Sequence, residues 1–215
     1  MKFLFDNILS FTCFAAMCIM GLLLYPGLPE SIPTQYNFDG VAGNYLPKLA
    51  VVLITPIMYG ASIAVVNLMI HYSPSKFSMP NSQRTMDIII FAVGVLLLST
   101  YWGILASDGN SDIFQQYFAI GFAFLLIVMG NVIGKTERNF IAGIRIPWTI
   151  ASEQNWRATH RFAGKLMVAS GLLLLLSSFF LASLVLTLSL SLCWLLISSI
   201  YSFMFFLKNE RPTSE

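Results

Sequence analysis

Charge is scarce along this chain: Asp, Glu, Lys and Arg make up 10% of its 215 residues, where a soluble domain carries roughly 25%. So little charge cannot clothe a water-facing surface, which excludes an ordinary soluble globular domain. Histidine is scarcer still. His71 and His160 are far apart, with no Cys or carboxylate at ligand spacing, and a zinc site needs about three or four ligands. No metal and no cofactor are therefore expected. The cysteines Cys13, Cys18 and Cys193 all lie inside apolar runs, where a thiol behaves as a small hydrophobe. They offer neither a metal knuckle nor a disulfide framework. The net charge of +2 is too small to point to nucleic acid. The sequence shows no carboxylate pair, nucleophile–base pair or metal set, which argues against an enzyme. It also lacks an ionisable residue in the middle of any apolar run, where ion-coupled transporters usually place one.

What the chain has instead is long apolar sequence: 57% of its residues are hydrophobic and its mean hydropathy is +0.75. A helix crossing a bilayer needs roughly 20 mostly apolar residues. Runs at 7–24, 49–70, 87–105 and 117–133 meet that need. An uncharged run then extends from Leu166 to Leu207. At 1.5 Å per residue it is too long for one helix in a hydrocarbon core of roughly 30 Å. It is expected to fold as two helices, with the turn near Ala182 to Thr187. The expectation is an all-α polytopic membrane helix bundle of about six spans. A barrel would show short alternating segments instead. The first run ends in Tyr25-Pro26-Gly27 without a small-x-small site, so it is read as a retained span rather than a cleaved signal.

Basic residues set the orientation. An even span count puts the N-terminus, the 71–87 and 134–165 loops and the C-terminal tail on one side, and eleven of the twelve Lys and Arg residues fall there. Only Lys48 falls on the other side, with Glu30, Asp39, Asp108 and Asp112. Both termini are therefore expected in the cytoplasm, in a bacterial inner membrane.

Two connections are more than turns. The outer one, Tyr25 to Lys48, holds Pro26, Pro29, Pro33 and Pro47 with Gly27, Gly40 and Gly43. These residues restrict or free the backbone, and the loop is read as shaped without regular structure. The inner one, Gly134 to Lys165, holds half of all the basic residues. Pro147 opens a turn in it, and Thr149 or Ser152 is placed to cap a short helix. Beyond Ser152, Arg157, Arg161 and Lys165 share one helical stripe, and Trp156, His160 and Gly164 share the next. Such a helix suits the headgroup level before it turns into the fifth span, either as a topological anchor or as a docking surface for a protein or anionic lipid. Asn67 and Asn131, near the inner ends of their helices, are expected to bond neighbouring helices. Gly130 and Gly134 form a G-x-x-x-G suited to close packing. Arg145 beside Trp148 suits a stacked pair, in either a packed turn or a partner surface.

The inner segment reads Gly130-Asn131, Gly134-Lys135, Asn139-Phe140, then Gly143-Ile144-Arg145-Ile146-Pro147-Trp148-Thr149. It ends Trp156-Arg157-Ala158-Thr159-His160-Arg161-Phe162-Ala163-Gly164-Lys165. This ordered set resembles the SdpI/YfhL family of bacterial membrane proteins. The outer loop, from Leu28-Pro29-Glu30 through Tyr36-Asn37-Phe38-Asp39-Gly40 to Asn44-Tyr45 and Lys48, is similar to the DUF1648 module that often precedes that domain. Gln35 stands where the module often has His, and Gly43 where Asp is common. The resemblance implies two modules, 1–72 with two spans and the shaped loop, and 86–210 with four spans and the basic loop.

It also implies a membrane immunity or receptor protein rather than an enzyme. Such a protein protects against an extracellular killing peptide and signals by recruiting a cytoplasmic ArsR-type repressor. On that reading the partners are membrane lipid, the toxin peptide and the repressor. The candidate outer binding residues are Pro33, Asn37, Gly40, Tyr45 and Lys48. The candidate inner ones are Asn131, Lys135, Asn139, Gly143, Arg145, Pro147, Trp148, Trp156, His160 and Arg161. The rivals are a small transporter or exporter of an amphiphile, working through Asn67 or Asn131, and an interfacial enzyme using His160, Glu153 and Arg145.

Overall fold

The computed structural model describes residues 7–37, 40–72, 80–138, 143–181 and 183–209. Seven α-helices run through them: α1 (Ile8–Leu24), α2 (Lys48–His71), α3 (Pro80–Ala106), α4 (Ser111–Ile133), α5 (Pro147–Ala151), α6 (Glu153–Ser177) and α7 (Leu184–Asn209). Five of them, α1 to α4 and α7, are long and apolar enough to cross a membrane. Helix α6 is as long, but its first half carries Arg157, Arg161 and Lys165. The chain is an all-α polytopic membrane bundle. Asn139, Asp39 and the cations Lys2, Lys76 and Arg211 lie outside the described residues.

Three local expectations are corrected. The outer loop does contain regular structure: strands β1 (Ser31–Tyr36) and β2 (Ala42–Pro47) form an antiparallel hairpin with Ser31 opposite Pro47 and Ile32 opposite Leu46. Its prolines and Gly43 break the alternation by which a strand is recognised, and the register shifts on either side of Gln35, as at a bulge. The turn between α6 and α7 begins at Ser178, earlier than the expected Ala182 to Thr187, and is over by Leu184, where Ser183 caps α7 by accepting from the Leu186 N–H at 3.4 Å and the Leu184 N–H donates to Gln115 Oε1 at 2.8 Å. Third, the basic stripe is not on a separate interfacial helix. It is the first half of α6, which runs unbroken into the apolar segment beyond Leu166.

Helices α1, α2 and α3 share a core with the hairpin: Met17, Tyr59, Ile63, Ile90, Tyr101 and Ile32 are all buried in it. Pro56 inside α2 has no N–H to give the Val52 carbonyl one turn back. The Tyr101 hydroxyl of α3 donates to that carbonyl at 3.3 Å. Tyr59 of α2 returns the favour, donating to the Ile90 carbonyl of α3 at 3.1 Å. Near the N-terminus Asn67 Nδ2 donates to Asn7 Oδ1, and Asn7 Nδ2 to Asn67 Oδ1 (3.1 Å). This is the interhelical amide pairing expected of Asn67. Asn131 behaves otherwise: it is exposed and donates to its own helix, to the Ile127 carbonyl at 2.7 Å.

Helix α4 packs on α3 along one side and on α6 along the other, and α7 packs on α6. The α4–α6 seam is made of small residues. A Cβ built on Gly164 would lie 2.6 Å from the Gly130 carbonyl oxygen, and one on Gly130 2.7 Å from that of Gly164. Gly130 therefore supports the close packing anticipated for G-x-x-x-G, with Gly164 as its partner. Across α6 and α7, buried Asn155 donates to the Ser202 carbonyl at 3.1 Å and accepts from the Ser202 hydroxyl at 2.6 Å. It also accepts from the Thr159 hydroxyl at 2.9 Å.

Candidate functional site

The structure gathers the expected residues at two opposite ends. At one end the β-hairpin folds over the α3–α4 corner. Tyr36 Oη lies 3.1 Å from Ser107 Oγ, and its ring stacks on Phe114 at 5.0 Å. Gly40 has φ +76°, and a Cβ there would meet Ser111 Oγ at 2.7 Å, so the tip sits directly on the start of α4. At the base, Lys48 Nζ pairs with Glu30 Oε1 at 2.7 Å and lies 5.0 Å from the centre of the Tyr25 ring.

Between the hairpin and the α3–α4 corner is a cavity of about 500 Å³, within the roughly 300–1,000 Å³ of ligand pockets. Leu28, Ile32, Ile104 and Leu105 give it apolar surface, Tyr45 and Pro33 line the hairpin side, and Asp108 and Gly109 close the corner. Of the outer candidates, Pro33 and Tyr45 face this space. Asn37 is exposed at the hairpin tip, Gly40 docks the tip, and Lys48 braces the base. The contribution of Ile104 to Gly109 was not anticipated. The Asp-Gly pair is a turn signal, but nothing local says that the turn faces a hairpin some seventy residues away.

At the other end the inner loop folds onto the first half of α6. Trp156 and His160 are buried and stacked, with ring centres 4.0 Å apart. His160 Nε2 accepts the Ile144 N–H at 2.9 Å, so Nδ1 carries the proton and donates to the Trp156 carbonyl at 2.8 Å. Gly143 has φ +130°, and a Cβ there would lie 2.4 Å from His160 Nε2, so only glycine lets the loop approach so closely. Thr149 accepts from the Ile146 N–H at 3.1 Å, while its own hydroxyl proton is within reach of the Ile144 (2.8 Å) and Ile146 (2.9 Å) carbonyls. Ser152 caps α6 at Asn155 N. Trp156 Nε1 donates to the Thr136 carbonyl at 3.0 Å, and Arg138 donates to the last carbonyls of α5, Ile150 at 3.0 Å and Ala151 at 3.2 Å. The Trp148 ring packs against Phe203 and Phe206 of α7.

The inner candidates thus divide. Gly143, Trp156 and His160 hold the loop to the helix, and Trp148 holds it to α7. Asn131, Lys135, Arg145, Pro147 and Arg161 are exposed, as is Lys165. The bracing by Thr136 and Arg138 was not foreseen, because its partners are backbone groups that no spacing reveals.

His160 precedes Leu166, where the apolar segment of α6 begins. Burial pushes its imidazole below the ordinary 6.5, against a smaller upward pull from the bond to the Trp156 carbonyl. Protonating Nε2 would also set two donors face to face at Ile144. A base depressed in the folded state contributes stability that is complete above its unfolded value and is lost as pH falls through the folded one. The expected result is a falling Tm as pH drops below about 6.5, and a flatter profile for His160→Gln, followed by thermal unfolding in detergent. Identical profiles for the two chains would refute it.

Two family matches fall on these two ends. Residues 135–203 match the SdpI/YfhL protein family, and residues 12–59 match a domain of unknown function, DUF1648. The chain is also 29% identical over 175 residues to "Immunity protein SdpI" of Bacillus subtilis (strain 168), covering 81% of this chain and 82% of that one. No solved structure matches it. The basic loop docked on α6 and the hairpin that follows α1 therefore lie within two matched regions of one membrane bundle, and the chain is a multi-pass membrane protein similar to the SdpI/YfhL family in its second half and, along most of its length, to an immunity protein.

Proposed function

We propose that this protein gives its bacterium resistance to an extracellular killing peptide, recognised at the hairpin end, and signals from the basic end to a cytoplasmic repressor. The observation that carries this reading is the match to an immunity protein over 81% of the chain. The architecture supports it. Placing the basic loop inside, as cation bias favours, puts the braced hairpin and its cavity outside the inner membrane. The inner surface of Lys135, Arg145, Arg161 and Lys165 then offers an acidic protein face complementary charge. Protection needs no chemistry, only binding, and the buried histidine fits that: both its ring nitrogens are occupied by backbone groups, which leaves it no proton to exchange with a substrate.

The test is survival. The chain is expressed in a sensitive strain and challenged with a panel of membrane-active killing peptides. Asn37→Ala, at the hairpin tip, is expected to weaken protection. Arg145→Ala, on the inner surface, is expected to reach the membrane normally, keep protection and lose induced expression of a reporter. No protection by the native chain against any peptide, with the protein well expressed, would reject the proposal and turn attention to vesicle flux.

A further inference from the structure

We propose that the cavity under the hairpin is the peptide-binding site and that it takes a short apolar segment carrying a lysine or arginine. This rests on the immunity reading and names the chemistry of its ligand.

The cavity has two kinds of surface. Leu28, Ile32, Ile104 and Leu105 form apolar walls, and Tyr45, 54% exposed, offers an aromatic face on the hairpin side. At the corner stands Asp108, which is exposed and has no ion pair among the described residues. The one basic residue at this end, Lys48, does not line the cavity and is tied to Glu30 at 2.7 Å. A cation entering here therefore meets a carboxylate and no like charge, and an anion meets the reverse. Each half of this surface excludes a simpler occupant. A lone cation has no use for the apolar walls, and a lipid acyl chain gains nothing from Asp108. An anionic headgroup is repelled by it. An apolar peptide segment with a basic side chain satisfies both halves, and the volume suits a few side chains.

The fold supplies a clean way to block the site. Gly27 lines the cavity, and a Cβ built there meets nothing within 4 Å. Gly27→Trp therefore adds a large side chain at the cavity wall without forcing the backbone, and Gly27→Ala is the matched control. The full chain is placed in phosphatidylcholine nanodiscs and titrated with two dye-labelled synthetic peptides of Leu, Trp and Ala. One carries a single lysine, and its twin carries glutamate at the same place. The lysine peptide is expected to bind more tightly, by up to about five-fold for a rim charge pair. Asp108→Asn is expected to erase that preference. Gly27→Trp is expected to abolish binding of both peptides while Gly27→Ala binds as the native chain does. Equal binding of the twins by the native chain, or unaltered binding by Gly27→Trp, would overturn the proposal. Binding is read apart from survival, so the two ideas fail separately. Full protection by Gly27→Trp in the survival assay would overturn the cavity and leave immunity standing. Absence of protection by the native chain strikes the immunity reading, while the binding arms still decide the cavity.

Discussion

Gly164→Val is expected to strip most of the folded protein from the membrane. The added Cβ alone would sit 2.6 Å from the carbonyl oxygen of Gly130 on the facing helix. That oxygen belongs to helical backbone and cannot rotate away, so α4 and α6 must separate. Overpacking of a tight interior costs typically about 1–3 kcal/mol and occasionally more, and a backbone-to-backbone contact belongs at the upper end. Separation also breaks the seam further along, where a Cβ on Gly171 would meet the Ala123 carbonyl oxygen at 2.9 Å. The measurement is thermal unfolding in detergent, with the membrane-inserted yield beside it. Gly130→Val should behave alike. The double substitution should cost less than the two singles together, because both open the same contact. An unchanged Tm for Gly164→Val would show that the helices do not pack as described.

Asn155→Ala is expected to cost about 1–3 kcal/mol, the penalty for leaving buried polar groups unsatisfied. Asn155, Thr159 and Ser202 are each 0% exposed, and the asparagine amide is the shared partner of the other two. It joins the start of α6 to the far part of α7. The cost stays within that range because the stranded hydroxyls have a fallback. Ser191 and Ser198 on the same helix already donate to carbonyls four residues back, and Ser202 can do the same. A double-mutant cycle with Ser202→Ala measures the coupling directly. The expected outcome is a double variant markedly more stable than the sum of the singles predicts. Strict additivity would mean that the two side chains do not act together.

How much of this was legible depends on the range of the information. The stripe of Trp156, His160 and Gly164 could be read from spacing alone, since residues four apart on a helix are neighbours. Its partners, the Gly143–Ile144 backbone and Gly130, could not, because they come from other elements. Asp108-Gly109 carries a local turn signal, but its place opposite Tyr45 depends on the hairpin docking over α3 and α4. The hairpin itself escaped because Pro33, Gly43 and Pro47 erase the period of two that marks a strand. What holds it in place is long-range, through Tyr36 to Ser107 and the tip to Ser111.

From the sequence by itself followed the long apolar helices and the α-helical class, because these depend on summed hydropathy, which needs no partners. Only the tertiary structure decided which polar residues are used up in holding the molecule together and which face outward. His160, Thr149 and Asn155 are consumed by backbone and side-chain partners inside the bundle, while Arg161 and Lys165, one step around the same helix, stay on the surface. The physical reason is that a buried hydrogen bond needs a partner brought close by folding, whereas a charge reaches water wherever the helix leaves it room.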